Sequence, residues 1–168
     1  MRLFRRRPVP DVVRAAAVPR GDRRVAWALT DDGRPVVVTT LGLLLPGGDL
    51  LPWAQVEHVG WQRPVLTVDE LAPGAAPVGG TGRTTVLRLV DDDGGLPDAV
   101  RAGVSGSVAW STHVRLQPTG GVRVVGRRQP GSDDLQWQTV YDAGTDVADP
   151  AVRAQAAAVV ARSRRTIG

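Results

Sequence analysis

Short apolar-rich runs separated by turn residues dominate the chain from residue 24 onward, the pattern of an antiparallel β protein. Residues 25–30 and 35–40 read as two strands joined at Asp31-Asp32-Gly33, a sequence suited to a tight turn. The apolar run continues through 41–45 until Pro46-Gly47-Gly48-Asp49 turns the chain. Residues 50–61 form a further extended segment with a short irregular turn near Pro52. Strands follow at 65–71 and 84–90, on either side of a loop at 72–82 rich in Ala, Pro, Gly and Thr.

Residues 97–104 read as a short helix, because Pro97 suits a first helical position and Leu96, Val100 and Val104 recur every four residues. Gly103 and Gly106 are expected to keep it short. Three strands joined by turns at 118–121 and 130–133 then form a meander over 107–142. In its first strand Val108, Trp110, Thr112, Val114 and Leu116 face one way, and Ala109, Ser111, His113 and Arg115 the other. One face is expected to be buried and one wet. A last helix starts at Asp149, a good N-cap, and Pro150. It turns Val152, Ala156, Val159 and Ile167 to the body, and Arg153, Arg162 and Arg165 outward.

Residues 25–56 carry a resemblance. Two strands lead into Thr39-Thr40-Leu41-Gly42-Leu43, a Gly turn follows, and then the step Leu51-Pro52-Trp53-Ala54-Gln55-Val56. This resembles the start of a bacterial pleckstrin-homology-like (PH-like) domain, of the kind found in uncharacterised actinobacterial proteins. The resemblance implies a mainly β (α+β) fold: a small antiparallel barrel or sandwich, with Trp53 anchoring a strand and a C-terminal capping helix plugging the open end. The helix at 97–104 is then an extra element. Phosphoinositide-binding members use basic residues around the first turn. Here two carboxylates, Asp31 and Asp32, stand there with only Arg34 beside them, so headgroup binding at that turn is not expected.

Charge changes the picture by its distribution. All 21 basic residues are Arg against 17 acids, a formal net charge of +4. Residues 1–24 hold eight Arg against Asp11 and Asp22, and 151–168 hold four Arg and no acid, so the stretch between them is acidic. An acidic body repels nucleic acid and anionic lipid on average, and nucleic-acid binding is not expected. The expected organisation is a basic, flexible arm over 1–22 and a single PH-like domain over 23–168. The N-terminus has a basic start but no apolar run after it, because Pro8, Pro10, Asp11 and Arg14 interrupt. The expected location is cytoplasmic, and at most peripheral to the inner membrane face.

Candidate chemistry is sparse. With no Cys, thiolate nucleophiles, thiolate metal sites and disulfides are excluded. The two histidines, His58 and His113, show no spacing of a catalytic triad or metal site. The segment Gly79-Gly80-Thr81-Gly82-Arg83-Thr84-Thr85 fails as a phosphate loop: Pro77 stands where a Gly is needed, Arg83 replaces Lys, and a strand follows. Asp91-Asp92-Asp93-Gly94 lacks the alternation of a calcium loop. No catalytic residue, cofactor or metal is therefore expected.

Two surfaces remain. The wet face of the meander presents His113, Arg115, Arg123, Arg127, Gln136 and Gln138, with Arg115 expected opposite Arg123 and Asp142 beside it. A solvated ion-pair row worth under about 1 kcal/mol is its plain reading; an acidic protein partner or a phosphate is its functional one. The second surface is the arm, where Phe4, Arg5, Arg6 and Arg7 suit weak contact with anionic lipid. The sequence thus points to a non-catalytic interaction or scaffolding module with a protein partner. The rival is an enzyme or enzyme subunit using Asp, Glu and Arg alone. An electropositive concave pocket with a clustered carboxylate favours the rival, and a flat surface the module.

Overall fold

The turn signal at Asp31-Asp32-Gly33 is realised as a hairpin of β1 (Arg24–Leu29) and β2 (Pro35–Thr39). Gly33 takes φ 78°, a conformation that favours glycine. Asp32 accepts from the Thr30 hydroxyl and, at 2.6 Å, from Arg34 Nε. The lone cation at this turn is therefore already paired. The computed structural model of the chain describes residues 8–71, 81–90, 95–128 and 133–167.

Three antiparallel sheets are present among these residues. β1, β2, β3 (Gly42–Leu44) and β4 (Leu50–Pro52) form the first, in that order. β5 (Val56–Gln62), β6 (Val65–Leu71) and β7 (Thr81–Arg88) form the second. β8 (Val108–Arg115), β9 (Gly121–Arg128) and β10 (Leu135–Tyr141) form the third, with β9 central. The mainly β expectation holds; of the expected barrel or sandwich, a closed barrel is not formed. A single 3-10 turn over Trp53–Gln55 swings the chain from β4 to β5 without pairing them, and the first two sheets touch edge to edge only just past the ends of β1 and β7, at the bridge Thr30↔Leu89. The sheets therefore stay open.

The main core lies between the first two sheets and α2 (Leu96–Ser107). Val36, Val38, Leu43, Val56, Leu66, Val68, Leu96 and Val100 are all fully buried there. Trp53 Nε1 donates to the Thr39 carbonyl at 3.2 Å, which pins the anchor expected of this residue. α2 runs past the expected end at 104, through both glycines. Gly103 lies flat on the Trp53 indole, where a Cβ would collide with the ring. Close packing there outweighs a helix penalty of about 1 kcal/mol per glycine.

The odd-numbered side chains of β2 face the other way. Val37, with its β3 partner Leu44, is covered by Val13 from α1 (Asp11–Ala15). Within the arm expected over 1–22, the described part, residues 8–22, thus lies against the first sheet. Arg24 donates to the carbonyls of Arg14 and Ala16, both at 2.9 Å. Asp22 Oδ1 accepts from the Thr40 hydroxyl at 2.5 Å and from the backbone N–H groups of Thr40 and Leu41. A second apolar face on β2 needs a cover, and this segment supplies it. Phe4, Arg5, Arg6 and Arg7 lie outside the described residues.

α3 (Pro150–Ile167) packs on one face of the third sheet, burying Val152, Ala156 and Val159 against Leu116, Val122 and Val124. Asp149 Oδ1 accepts from Ala151 N at 2.8 Å as an N-cap, as expected. Ile167 is exposed rather than turned to the body. The helix that closes the first two sheets is thus α2, and α3 serves only the third. The roles expected of the two helices are exchanged.

Candidate functional site

Strand alternation gives β9 two different faces. Val122 and Val124 meet α3, and Arg123, Val125 and Arg127 point away from it. The register brings His113 opposite Arg123, and Arg115 opposite Gly121. This is two residues from the pairing expected, so Arg115 and Arg123 are not partners. The turn is held by α3: Gln155 accepts from Gln117 N and donates to Gln117 O, each at 2.9 Å.

The face of β9 that carries these arginines is only partly wet. Arg127 is 6% exposed and Gln138 8%. This corrects their expected place on a solvated surface. Arg127 Nε donates to Gln138 Oε1 at 3.2 Å, and Nη1 donates to Ser107 Oγ at 2.8 Å and to the Val104 carbonyl at 3.2 Å. The Val104 carbonyl belongs to the last turn of α2, where helix carbonyls lack intrahelical donors and a cation is favoured. Burial draws the Arg127 guanidinium below its ordinary value, and the negative Glu57 opposes that shift. Long-range contact with α2 buries this side chain.

A cleft of about 430 Å³ opens between this face and the start of β5. Glu57, His58, Arg123, Arg127 and Asp142 supply its charged and titratable groups, and Val125, Gln138 and Val140 line the rest. Glu57 sits at a register shift between Val56 and His58, which re-aims the strand here. Its Oε2 is buried and accepts no hydrogen bond within the described chain. Asp142 Oδ2 lies 2.8 Å from His113 Nε2. A side chain at Gly121 would strike both members of that pair, so glycine there makes room for it. Among the described residues no hydroxyl partners His113, so the pair is not extended into a triad. No group of three or more metal-ligating side chains occurs among the described residues.

Of the expected site residues, His113, Arg115 and Arg123 are exposed and Arg127 and Gln138 are buried. The cleft gathers Arg123, Arg127 and Gln138, with His113 reaching it through Asp142, and leaves Arg115 outside. Glu57, Val125 and Val140 are members that strand alternation alone does not bring together. A second, apolar groove of about 370 Å³ runs over Trp53 between α2 and the end of β2, rimmed by Arg128.

No protein family, curated protein or solved structure matches the chain. No helix among the described residues is long and apolar enough to cross a membrane.

Proposed function

We propose that the chain is a non-catalytic interaction module that binds a protein partner at the cleft and at the arginine-bearing surface beside it. In this reading the PH-like unit spans residues 24–107, closed by α2, and residues 108–167 are an added meander and helix. The Trp53–Thr39 bond and the helix lying on Trp53 support the PH-like assignment. The paired Asp32 and Arg34 speak against a headgroup site at the first turn.

One observation carries the binding reading: unpaired polar groups stand beside apolar surface in one concavity. The Arg123 side chain makes no hydrogen bond or ion pair among the described residues, Glu57 Oε2 has no donor, and Val140 is 37% exposed beside them. Such groups gain from a partner that supplies the missing contacts. The test is capture of bound proteins by the wild-type chain and by Arg115→Glu/Arg123→Glu, both exposed positions. Loss of a specific partner is expected, and an unchanged set overturns the reading.

The concave cleft, with Glu57 and Asp142 beside Arg123 and Arg127, is the feature that favours the rival reading, an enzyme working with Asp, Glu and Arg, and the His113–Asp142 pair adds an acid–base group to it. Turnover of a hydrolase substrate panel that disappears in His113→Gln would establish it. Contact of residues 1–7 with the inner membrane face is a separate proposal. Sedimentation with anionic liposomes, with and without those residues, tests it, and equal binding rules it out.

A further inference from the structure

We propose that the cleft takes an acidic segment of the partner protein, with a carboxylate side chain on Arg123 and Arg127 and a neighbouring N–H or hydroxyl on Glu57. This deepens the interaction-module reading and rests on it. Three independent features converge on this chemistry.

Arg127 is a buried cation without an ion pair. Its hydrogen-bond acceptors are Gln138, Ser107 and the Val104 carbonyl, all neutral. Neutral acceptors satisfy its donors, and Glu57, which lines the same cleft, only partly offsets the cost of burying its charge. Arg123, four residues earlier on the same face, is a second cation with His113 and Val140 opposite it in the neighbouring strands. Together they present positive charge along one wall.

The opposite requirement comes from Glu57. A buried carboxylate oxygen without a donor is costly, and a ligand that brings a donor removes that cost. The occupant therefore needs an acceptor at one end and a donor at the other. The charged lining points the same way, since Arg123 and Arg127 stand against Glu57 and Asp142. A phosphate dianion would meet both carboxylates at close range, whereas a singly charged carboxylate next to an N–H matches both walls. A polypeptide carries that combination at every Asp or Glu.

Size and polarity agree. A volume of about 430 Å³ suits one acidic side chain with its adjoining backbone rather than a folded surface. Val125 and Val140 give the methylene groups of such a side chain an apolar bed.

The test uses backbone amide NMR of the full chain. The probes are N-acetylated, C-amidated pentapeptide pools with Glu fixed at the centre, the same pools with Gln there, and inorganic phosphate. The Glu pool is expected to shift the amides of Arg123, Val125 and Val140, with at least tenfold weaker binding by the Gln pool. Arg123→Gln is expected to weaken the Glu pool by at least tenfold and Glu57→Gln severalfold, each with unchanged thermal stability. Silence at those amides, equal binding of the two pools, or shifts from phosphate alone would overturn the inference. If the amides stay silent while partner capture still depends on Arg115 and Arg123, the module reading survives and only this inference fails. If the Glu pool binds and no partner depends on those arginines, the module reading is the one that fails.

Discussion

The half of the molecule ending at α2 and the half beginning at β8 are built from similar strands but use their faces differently. Among the described residues the first buries fourteen side chains in one cluster, drawn from two sheets and α2. The second buries six, from one sheet and α3, most of them Val or Ala. In the first half even the reverse side of β2 is covered, by Val13 over Val37 and Leu44. In the second half the reverse side of β9 is polar and turns toward the first half. This contrast sets where a site can form. A strand covered by apolar partners on both faces has nothing to offer a ligand, whereas one with a single apolar face sets charged groups at the junction.

That comparison breaks most visibly in the cores. Leu66→Ala is expected to cost about 2–5 kcal/mol of global stability in urea denaturation, because Leu66 is fully buried in the larger cluster. Leu116→Ala belongs nearer the lower end of that range. It is expected to expose β9 amides to hydrogen exchange while β6 stays protected. Equal loss of protection in both strands would mean that the halves unfold as one.

Gly103→Ala is expected to cost about 1–3 kcal/mol, since its Cβ must displace the Trp53 ring. Tryptophan fluorescence and a thermal melt read both effects. Gly106→Ala is the control: nothing lies near its Cβ, so no comparable loss is expected there.

The junction itself is probed by Arg127→Met, which keeps bulk but removes the donors to buried Gln138 and Ser107. A loss of about 1–3 kcal/mol is expected, with faster exchange at the C-terminal end of α2. No change in either would show that Arg127 does not tie the halves together.

The smallest expected effect is at Asp22. Burial raises its pKa, but hydrogen bonds from Thr39, Thr40 and the N–H groups of Arg23 and Leu41 outweigh this and hold it below the ordinary value. A depressed carboxyl stabilises the fold above the unfolded value of about 3.9 and loses that contribution as pH falls through the lower folded value. Asp22→Asn is therefore expected to shrink the stability lost between about pH 5 and pH 2, read from denaturation midpoints. An unchanged pH dependence would remove Asp22 from the account of how the N-terminal segment is held.

Much of the fold was legible in local patterns. Asp31-Asp32-Gly33, the three strands of the meander and the Asp149 cap all depend on neighbours a few positions away. The candidate site was legible only in part. His113 and Arg123 were visible as exposed positions, but their pairing required the turn length that Gln155 helps to set. Glu57 gave a weak signal, an acid beside His58 just after the Trp53 anchor.

The strands, their turns and the alternation that divides β9 into two faces follow from local residue order. Backbone pleating and turn chemistry act over a handful of residues, so they can be read in order. What each face meets was set by packing between distant segments. Arg127 belongs to a polar-looking row, yet it is buried because Val104 and Ser107 of a distant helix close over it. Val13 belongs to a basic segment, yet it is buried because the back of β2 needs a cover. Burial is a property of surfaces brought together from separate parts of the chain, and alternation within one strand carries no information about the surface that will arrive.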